Sequence, residues 1–308
     1  MAPGKGGYRQ INKAFNICAF DDYLEGQRNR LPKLQDIEQI SSRFTLQGTN
    51  TYIVGTGSRR LIIDTGQGVP EWADLISSTL TTSEISLSHV LLTHWHGDHT
   101  GGVPDLTRMY PDVSSSIYKH TPSKSQLPIT DSQIFEVEGA TIRAVHTPGH
   151  SHDHICFILE EEEAMFTGDV ILGHGTTVVE HLSTWMETLH KIQSYNCVKG
   201  YPAHGSIIAD LPAKIKGELA LKRRRERRVL QSLEQAKREG RAAGGRGKGS
   251  ITVTELVTAM HGTEIDQGIR ELALEPFMDE VLRKLAEDGS VAFEMRGGVK
   301  KWFAIERI

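Results

Sequence analysis

The stretch Leu91-Leu-Thr-His94-Trp-His96-Gly-Asp98-His99-Thr-Gly-Gly constrains this chain more than any other. Its apolar start reads as a short buried strand, His89–Thr93, and four side chains able to bind a metal follow within the next six residues. Imidazole and carboxylate donors suit Zn2+ and its borderline neighbours, and no thiolate is nearby. His94 and His96 stand two apart, so an extended or turning backbone aims both at one ion. Asp98 and His99 are adjacent and do not easily share a face, which favours a second ion beside the first. Gly101 and Gly102 then permit close packing where a helix begins.

Three further short signals follow in order: Thr147-Pro-Gly-His150, Phe166-Thr-Gly-Asp169 and Tyr201-Pro-Ala-His204-Gly. Each sets one metal-capable side chain after a strand, beside a Gly or Pro turn. Four such motifs in sequence outweigh the reading of these histidines as ordinary core or surface groups. The nine remaining histidines are expected to be mostly structural or solvated. His152 and His154 lie near enough to support the ligands, and His174 is placed to line a substrate mouth. Two cations about 3.5–4 Å apart would make a nucleophile from water at neutral pH, so no serine or cysteine nucleophile is required. Asp98 would carry a proton as well as bind. A thiol has a pKa of about 8.5 and leaves without help, whereas an alkoxide or amine needs a proton delivered. No obligatory acid is evident beyond the candidates His152, His154 and His174, which tilts the chemistry towards thioesters.

The rest of the chain interleaves strands and helices. Strands are expected at Thr51–Val54, Arg60–Asp64, Thr141–His146, Ile155–Leu159, Ala164–Asp169 and Val198–Tyr201, and helices at Trp72–Leu80 and Ser183–Tyr195, with a short helix at Ile11–Leu24. This is an α/β pattern with its site at the strand ends. From Pro212 to Glu239 a long basic helix is predicted, and Gly240–Ser250 reads as a flexible linker. Between Leu211 and Ser250 there are 13 Lys/Arg against 4 Asp/Glu, a balance of +9 that leaves −13 for the rest of a chain of net charge −4. That basic arm could meet an acidic carrier protein, contact phosphates, or form a solvated helix face. Helix signals at Thr254–Met260 and Pro276–Glu287, then two strands around Arg296-Gly-Gly, resemble a small winged-helix module. The expected division is therefore 1–43 N-terminal extension, 44–210 catalytic domain, 211–250 basic helix and linker, and 251–308 C-terminal module.

Cys18, Cys156 and Cys197 are odd in number and scattered, which excludes a disulfide framework and a thiolate metal knuckle. The opening Met1-Ala-Pro-Gly-Lys-Gly-Gly-Tyr lacks the apolar core of a signal peptide, and no apolar run approaches the roughly 18 residues of a membrane span. A soluble cytoplasmic protein is expected.

On its four metal motifs, from Phe44 to Gly205, the chain resembles the metallo-β-lactamase superfamily, whose H-x-H-x-D-H motif matches position by position. The resemblance implies an αββα sandwich of two sheets flanked by helices. It further implies that His94, His96 and His150 bind one metal, that Asp98, His99 and His204 bind a second, and that Asp169 bridges them. Asp64, in Ile62-Ile-Asp-Thr-Gly, falls where the family has a carboxylate orienting the ligand loop; alternatively it caps the turn that follows. Two divalent ions are implied, zinc by default and manganese as an option for an all-N/O site.

Finer stretches narrow the resemblance: Phe44-Thr-Leu-Gln-Gly-Thr-Asn-Thr-Tyr-Ile-Val-Gly, Asp64-Thr-Gly-Gln-Gly, Gly168-Asp-Val-Ile-Leu-Gly-His-Gly-Thr-Thr and Gly7-Tyr-Arg-Gln-Ile-Asn-Lys-Ala-Phe-Asn-Ile-Cys-Ala-Phe. Together these look like the fungal atrochrysone carboxyl ACP thioesterases. That implies hydrolysis of the thioester between an aromatic polyketide and the acyl carrier protein domain of a non-reducing polyketide synthase, in anthraquinone-related secondary metabolism. The nearest rival resemblance is to β-lactamase-like protein 2, an endoribonuclease of single-stranded RNA. It shares the Thr-Leu-Gln-Gly-Thr-Asn-Thr-Tyr stretch and a winged-helix-like tail. Tyr8-Arg-Gln-Ile-Asn-Lys favours the thioesterase, no aromatic stacking platform for nucleic acid is evident, and no membrane partner is expected. Members of the thioesterase group carry a further short segment with an Asn-Pro-Gly turn before the position of Phe44. Here Arg43 runs straight into Phe44, so about one strand's worth of chain is expected to be missing.

Overall fold

A computed structural model describes residues 37–41, 48–242, 244, 247–264 and 266–305. The helix expected at Ile11–Leu24, Cys18 and the Arg43–Phe44 junction lie outside them. The chain divides into two compact units, one reaching to Lys216 and one running from Gly217.

The first unit is built from two sheets. Strands β1 (Ile37–Ser41), β2 (Asn50–Val54), β3 (Arg59–Ile63), β4 (Ser86–Leu91), β5 (Ile117–Lys119) and β6 (Leu127–Pro128) form one in that spatial order. Strands β7 (Ile134–Val137), β8 (Ala140–His146), β9 (Ile155–Leu159), β10 (Ala164–Gly168) and β11 (Lys199–Pro202) form the other, in the order β11-β10-β9-β8-β7. Strand alternation sorts the apolar side chains into layers. Tyr52, Val54, Leu61 and Ile63 of the first sheet meet Ile142, Ala144, Phe157 and Phe166 of the second in one core. Ile53, Ile62 and Val90 turn the other way, onto Trp72, Ile76 and Leu80 of helix α1 (Pro70–Thr82). Both faces of that sheet are therefore buried, which is why its central strands read as nearly continuous apolar runs. Two short helices follow β4, α2 (Gly97–Thr100) and α3 (Val103–Met109). Helix α4 (Leu182–Gln193) buries Leu182, Trp185, Leu189 and Ile192.

The first sheet begins at Ile37, upstream of the expected Phe44 boundary. β1 pairs antiparallel with β2 from Ile37↔Val54 to Ser41↔Asn50, so part of the stretch read as an irregular extension forms the sheet's edge. Its sequence, Ile-Glu-Gln-Ile-Ser, is too short and too polar to signal a strand, and pairing supplies what composition does not.

Helix α5 (Leu211–Ala242) begins in the first unit and continues into the second. It runs three residues past Glu239 and stops where Gly244 takes φ +80° and its N–H bonds the Arg241 carbonyl. The linker is correspondingly shorter than expected. Arg225 lies 4.2 Å over the Phe277 ring, and Glu226 pairs with Lys284 at 3.0 Å, so part of the basic run is committed to packing. The second unit adds α6 (Val253–His261) and α7 (Glu275–Glu287), whose Leu256, Val257, Met278, Val281, Leu282 and Leu285 are buried. A reciprocal cap between Thr252 and Glu255 starts α6. Strands β12 (Val291–Arg296) and β13 (Val299–Ala304) close a hairpin over Gly297 and Gly298, both at positive φ, as a two-residue turn requires. Among the described residues no helix is long and apolar enough to cross a membrane.

Candidate metal centre

Every ligand proposed from the motifs sits just beyond a strand. β4 ends at Leu91 and leads to His94, His96, Asp98 and His99; His150 follows β8; Asp169 follows β10; His204 follows β11. These seven side chains fall into two groups of potential metal donors, His94, His96, His150 and Asp169 in one and Asp98, His99 and His204 in the other. Within the first, His94 Nε2 lies 2.8 Å from His96 Nδ1, and His150 Nε2 lies 3.2 and 3.1 Å from those two atoms. Asp169 stands between the groups. Its Oδ2 is 3.5 Å from both His150 Nε2 and His99 Nε2, and its Oδ1 is 3.2 Å from His204 Nε2. Asp98 Oδ2 is 3.3 Å from His204 Nε2 and 3.7 Å from His99 Nε2.

The supporting hydrogen bonds fix which ring nitrogen faces inward. His150 Nδ1 donates to the Val178 carbonyl at 2.7 Å, and His204 Nδ1 donates to the Gly48 carbonyl at 3.0 Å. His99 Nδ1 donates to Asp64 Oδ2 at 2.7 Å. Thr93 Oγ1 gives its single proton to Asp64 and so accepts from His94 Nδ1 at 3.0 Å. Each of these four rings therefore turns its Nε2 towards the cluster, where it is a free donor whenever the ring is neutral. Bare nitrogens of His94 and His150 facing one another at 3.2 Å repel unless a cation or proton lies between them. His99 Nε2 and Asp169 Oδ1 are buried with no hydrogen-bond partner, an arrangement that costs roughly 1–3 kcal/mol each if nothing fills it. The cluster thus fits divalent cations. All of its donors are nitrogen or oxygen. Cys156 and Cys197 are buried elsewhere, their thiols pushed up to about 12 and 11 by burial.

Electrostatics divide the cluster. Burial, reinforced by neighbouring imidazoles, pushes His94 well down and His96 to about 4, so both are neutral donors at pH 7. Burial opposes charge on His99 and His204 as well, but the surrounding carboxylates win: Asp169, Asp64 and Asp98 raise His99, and Asp169 and Asp98 raise His204 to about 10. Asp98 and Asp169 are held below the usual carboxylate range by the same pairing, against burial. Both carboxylates are therefore ionised and ready for a cation.

Asp64 is more than a turn cap. Besides His99 it accepts from the Thr93 N–H at 2.8 Å, so one buried carboxylate holds the start and the end of the ligand loop. It does so at φ +59°, a left-handed conformation costing on the order of 1 kcal/mol that these hydrogen bonds offset. His154 lies close to the ligands, its ring centroid 5.0 Å from that of His94. It is fully buried behind the site, held by Thr147, and its Nε2 accepts the Asp169 N–H at 3.1 Å. A Cβ on Gly168 (φ +50°) would lie 2.5 Å from that nitrogen, so only glycine fits there. His174 is partly buried; its loop is tied to the His204 loop by the Gly173 N–H to His204 carbonyl bond at 2.9 Å, and burial pushes its imidazole to about 4. His152 is exposed, with Glu180 3.8 Å away.

Sequence reasoning missed several supports. Thr93 is the hub of the His94–Asp64–His99 network, although it sits inside the motif. Asn50 donates to the carbonyls of Pro202 and Gly205, both at 2.9 Å, and Tyr52 donates to Pro202, so Thr-Asn-Thr-Tyr grips the loop carrying His204. Asp153 forms a buried 2.6 Å ion pair with Lys119 of β5 and also accepts from Ser151, anchoring the His150–His154 loop. No local signal marks Lys119.

A two-sheet sandwich with this His/Asp cluster at the strand ends defines a class. Residues 44–224 match the metallo-beta-lactamase superfamily, and the chain belongs to that superfamily. An atrochrysone carboxyl ACP thioesterase from Cryptosporiopsis sp. (strain 8999) is 70% identical over 99% of this chain and 98% of its own length. A protein of the same name from Aspergillus terreus is 64% identical, covering 99% of this chain and 98% of its own. Among solved structures, a beta-lactamase domain protein from Burkholderia ambifaria superposes with a TM-score of 0.68 at 16% identity, over 90% of this chain and 96% of its own, a likeness of fold.

Proposed function

We propose that this chain is a metal-dependent thioesterase. It hydrolyses the thioester joining an aromatic polyketide acyl group to the acyl carrier protein domain of a non-reducing polyketide synthase. The product is an acid of the atrochrysone carboxylic type, in anthraquinone-related secondary metabolism, and we place the reaction in the cytoplasm. The observation that carries the reading is the 70% identity, over nearly the full length of both chains, to a protein named for that activity.

His94, His96 and His150 would hold one divalent ion, and Asp98, His99 and His204 a second, with Asp169 between them. Zinc is the ion we assign, with manganese as the alternative for these N and O donors. When bound, such ions supply Lewis acidity and a nucleophile drawn from water at neutral pH. The chain's own groups do the rest. Asp98, partly exposed and 3.3 Å from His204, would take the proton released as the acyl carbon is attacked. Asp64, Thr93 and His154 keep the donors in register. The departing thiolate needs no proton from the protein, and His174, neutral at pH 7, is a poor general acid for a worse leaving group.

The test is to add metal-loaded protein to a carrier-bound aromatic polyketide and measure released acid. Turnover is expected, and Asp98→Ala should lower it by roughly 10²-fold or more at unchanged folding. Cleavage of single-stranded RNA with acyl thioesters untouched would replace this reading with the endoribonuclease one. A preference for free glutathione thioesters would point to a glyoxalase-like hydrolase.

A further inference from the structure

The chain has four tryptophans. Trp72, Trp185 and Trp302 are core residues, at most 2% exposed, and two of them donate hydrogen bonds through their indole nitrogens, Trp72 to Thr51 and Trp185 to Val170. Trp95 is 44% exposed. It stands between two residues of the metal cluster, and its ring packs edge-on against His96, centroids 4.5 Å apart and planes at 70°. His96 in turn offers its Nδ1 within 3.1 Å of His150 Nε2. A large, rigid, apolar surface is thus left in water one imidazole away from the reacting centre. Leaving it there costs hydrophobic free energy on the order of 25 cal/mol per Å2.

We propose that Trp95 is the aromatic recognition platform for the acyl group. An aromatic acyl group held at the cluster would carry its ring attached to the acyl carbon, and an exposed indole one imidazole away offers that ring a face for stacking, at the roughly 4.5–7 Å centroid separation such pairs take. An aliphatic chain gains only area there. Trp95 therefore sets preference for aromatic over aliphatic acyl groups and is a specificity residue, with no part in bond making or breaking. This rests on the thioesterase reading, and its test separates the two.

Two measurements decide it. In the first, 2-naphthoate and an aliphatic acid of equal carbon number are titrated against tryptophan fluorescence of the metal-loaded protein. With the other three indoles buried, saturable quenching by naphthoate is expected in the wild type; in the variants, which lack that reporter, naphthoate affinity is read by calorimetry and should be about tenfold weaker in Trp95→Leu and restored in Trp95→Phe. In the second, the ratio of kcat/KM for an aromatic against an aliphatic acyl thioester should fall roughly tenfold in Trp95→Leu and recover in Trp95→Phe. Bound metal is measured in every variant. If Trp95→Leu loses metal, or lowers both substrates in equal proportion, the indole is a brace for His96 and the proposal falls. If no thioester is hydrolysed yet naphthoate binding depends on Trp95, the platform stands and the thioesterase reading fails.

Discussion

At the scale of single residues, the site depends on groups that never reach a cation. Asp64 is one carboxylate with three duties: it accepts from the Thr93 N–H, from the Thr93 hydroxyl and from His99. Replacing it with Asn keeps the volume but offers one acceptor where two are used and sets an amide N–H2 against a donor. Asp64→Asn is expected to weaken metal binding by roughly 10- to 100-fold, read by competition with a chromophoric chelator. Thr93→Val, which removes the hydroxyl shared by His94 and Asp64, should fall in the same range. If the two effects fail to add in the double variant, the pair acts as one unit. The ligands themselves were legible in the sequence because each lies in a short contiguous motif with its own turn residue. Their supports were less so. Thr93 and Asp64 are near a motif, but the Gly48 carbonyl that orients His204 is 156 positions away from it, and a backbone oxygen leaves no trace in residue identity.

At the scale of elements, helix α5 shows how a charge run can mislead. Read as a string, Lys222-Arg-Arg-Arg-Glu-Arg-Arg is a solvated or docking face; in the fold, Lys222 is among the largest fully buried side chains, Arg225 covers Phe277 and Glu226 meets Lys284. Burial, then the charge of Arg225, pushes Lys222 down to about 8 from an ordinary 10.5. The folded protein therefore releases this proton before the unfolded chain does. Between about pH 8 and 10.5 the unfolded state binds more protons, so stability rises with pH across that window, by up to about 3 kcal/mol. Below pH 8 both states are protonated and the full cost of the buried charge is present. Urea midpoints of the wild type and Lys222→Met, compared across pH 8 to 10.5, should converge as pH rises; parallel curves would show that Lys222 keeps an ordinary pKa. Element positions were largely readable from periodicity. The exceptions were the one-turn helix α2 and the short strands β1, β5, β6 and β7, which are too brief for a period to develop; the strands exist because neighbours pair with them.

At the scale of the molecule, the donors come from both sheets. His94, His96, Asp98 and His99 follow β4 of one, while His150, Asp169 and His204 follow strands of the other. Cation binding is therefore also a fold-stabilising event. With free ion at about 1,000 times its Kd, stabilisation of about 4 kcal/mol is expected, or roughly 10 °C in Tm, lost on chelation and recovered on adding metal back. An unchanged melting curve would mean that the donors do not engage an ion in the folded state. The same arrangement governs where such a scaffold tolerates novelty. Lengthening any donor-bearing tip slides one sheet's contribution against the other's, so all seven groups register the change together. Loops on the rest of the rim are under no such joint constraint, so they can lengthen and reshape the substrate's surroundings without disturbing the chemistry.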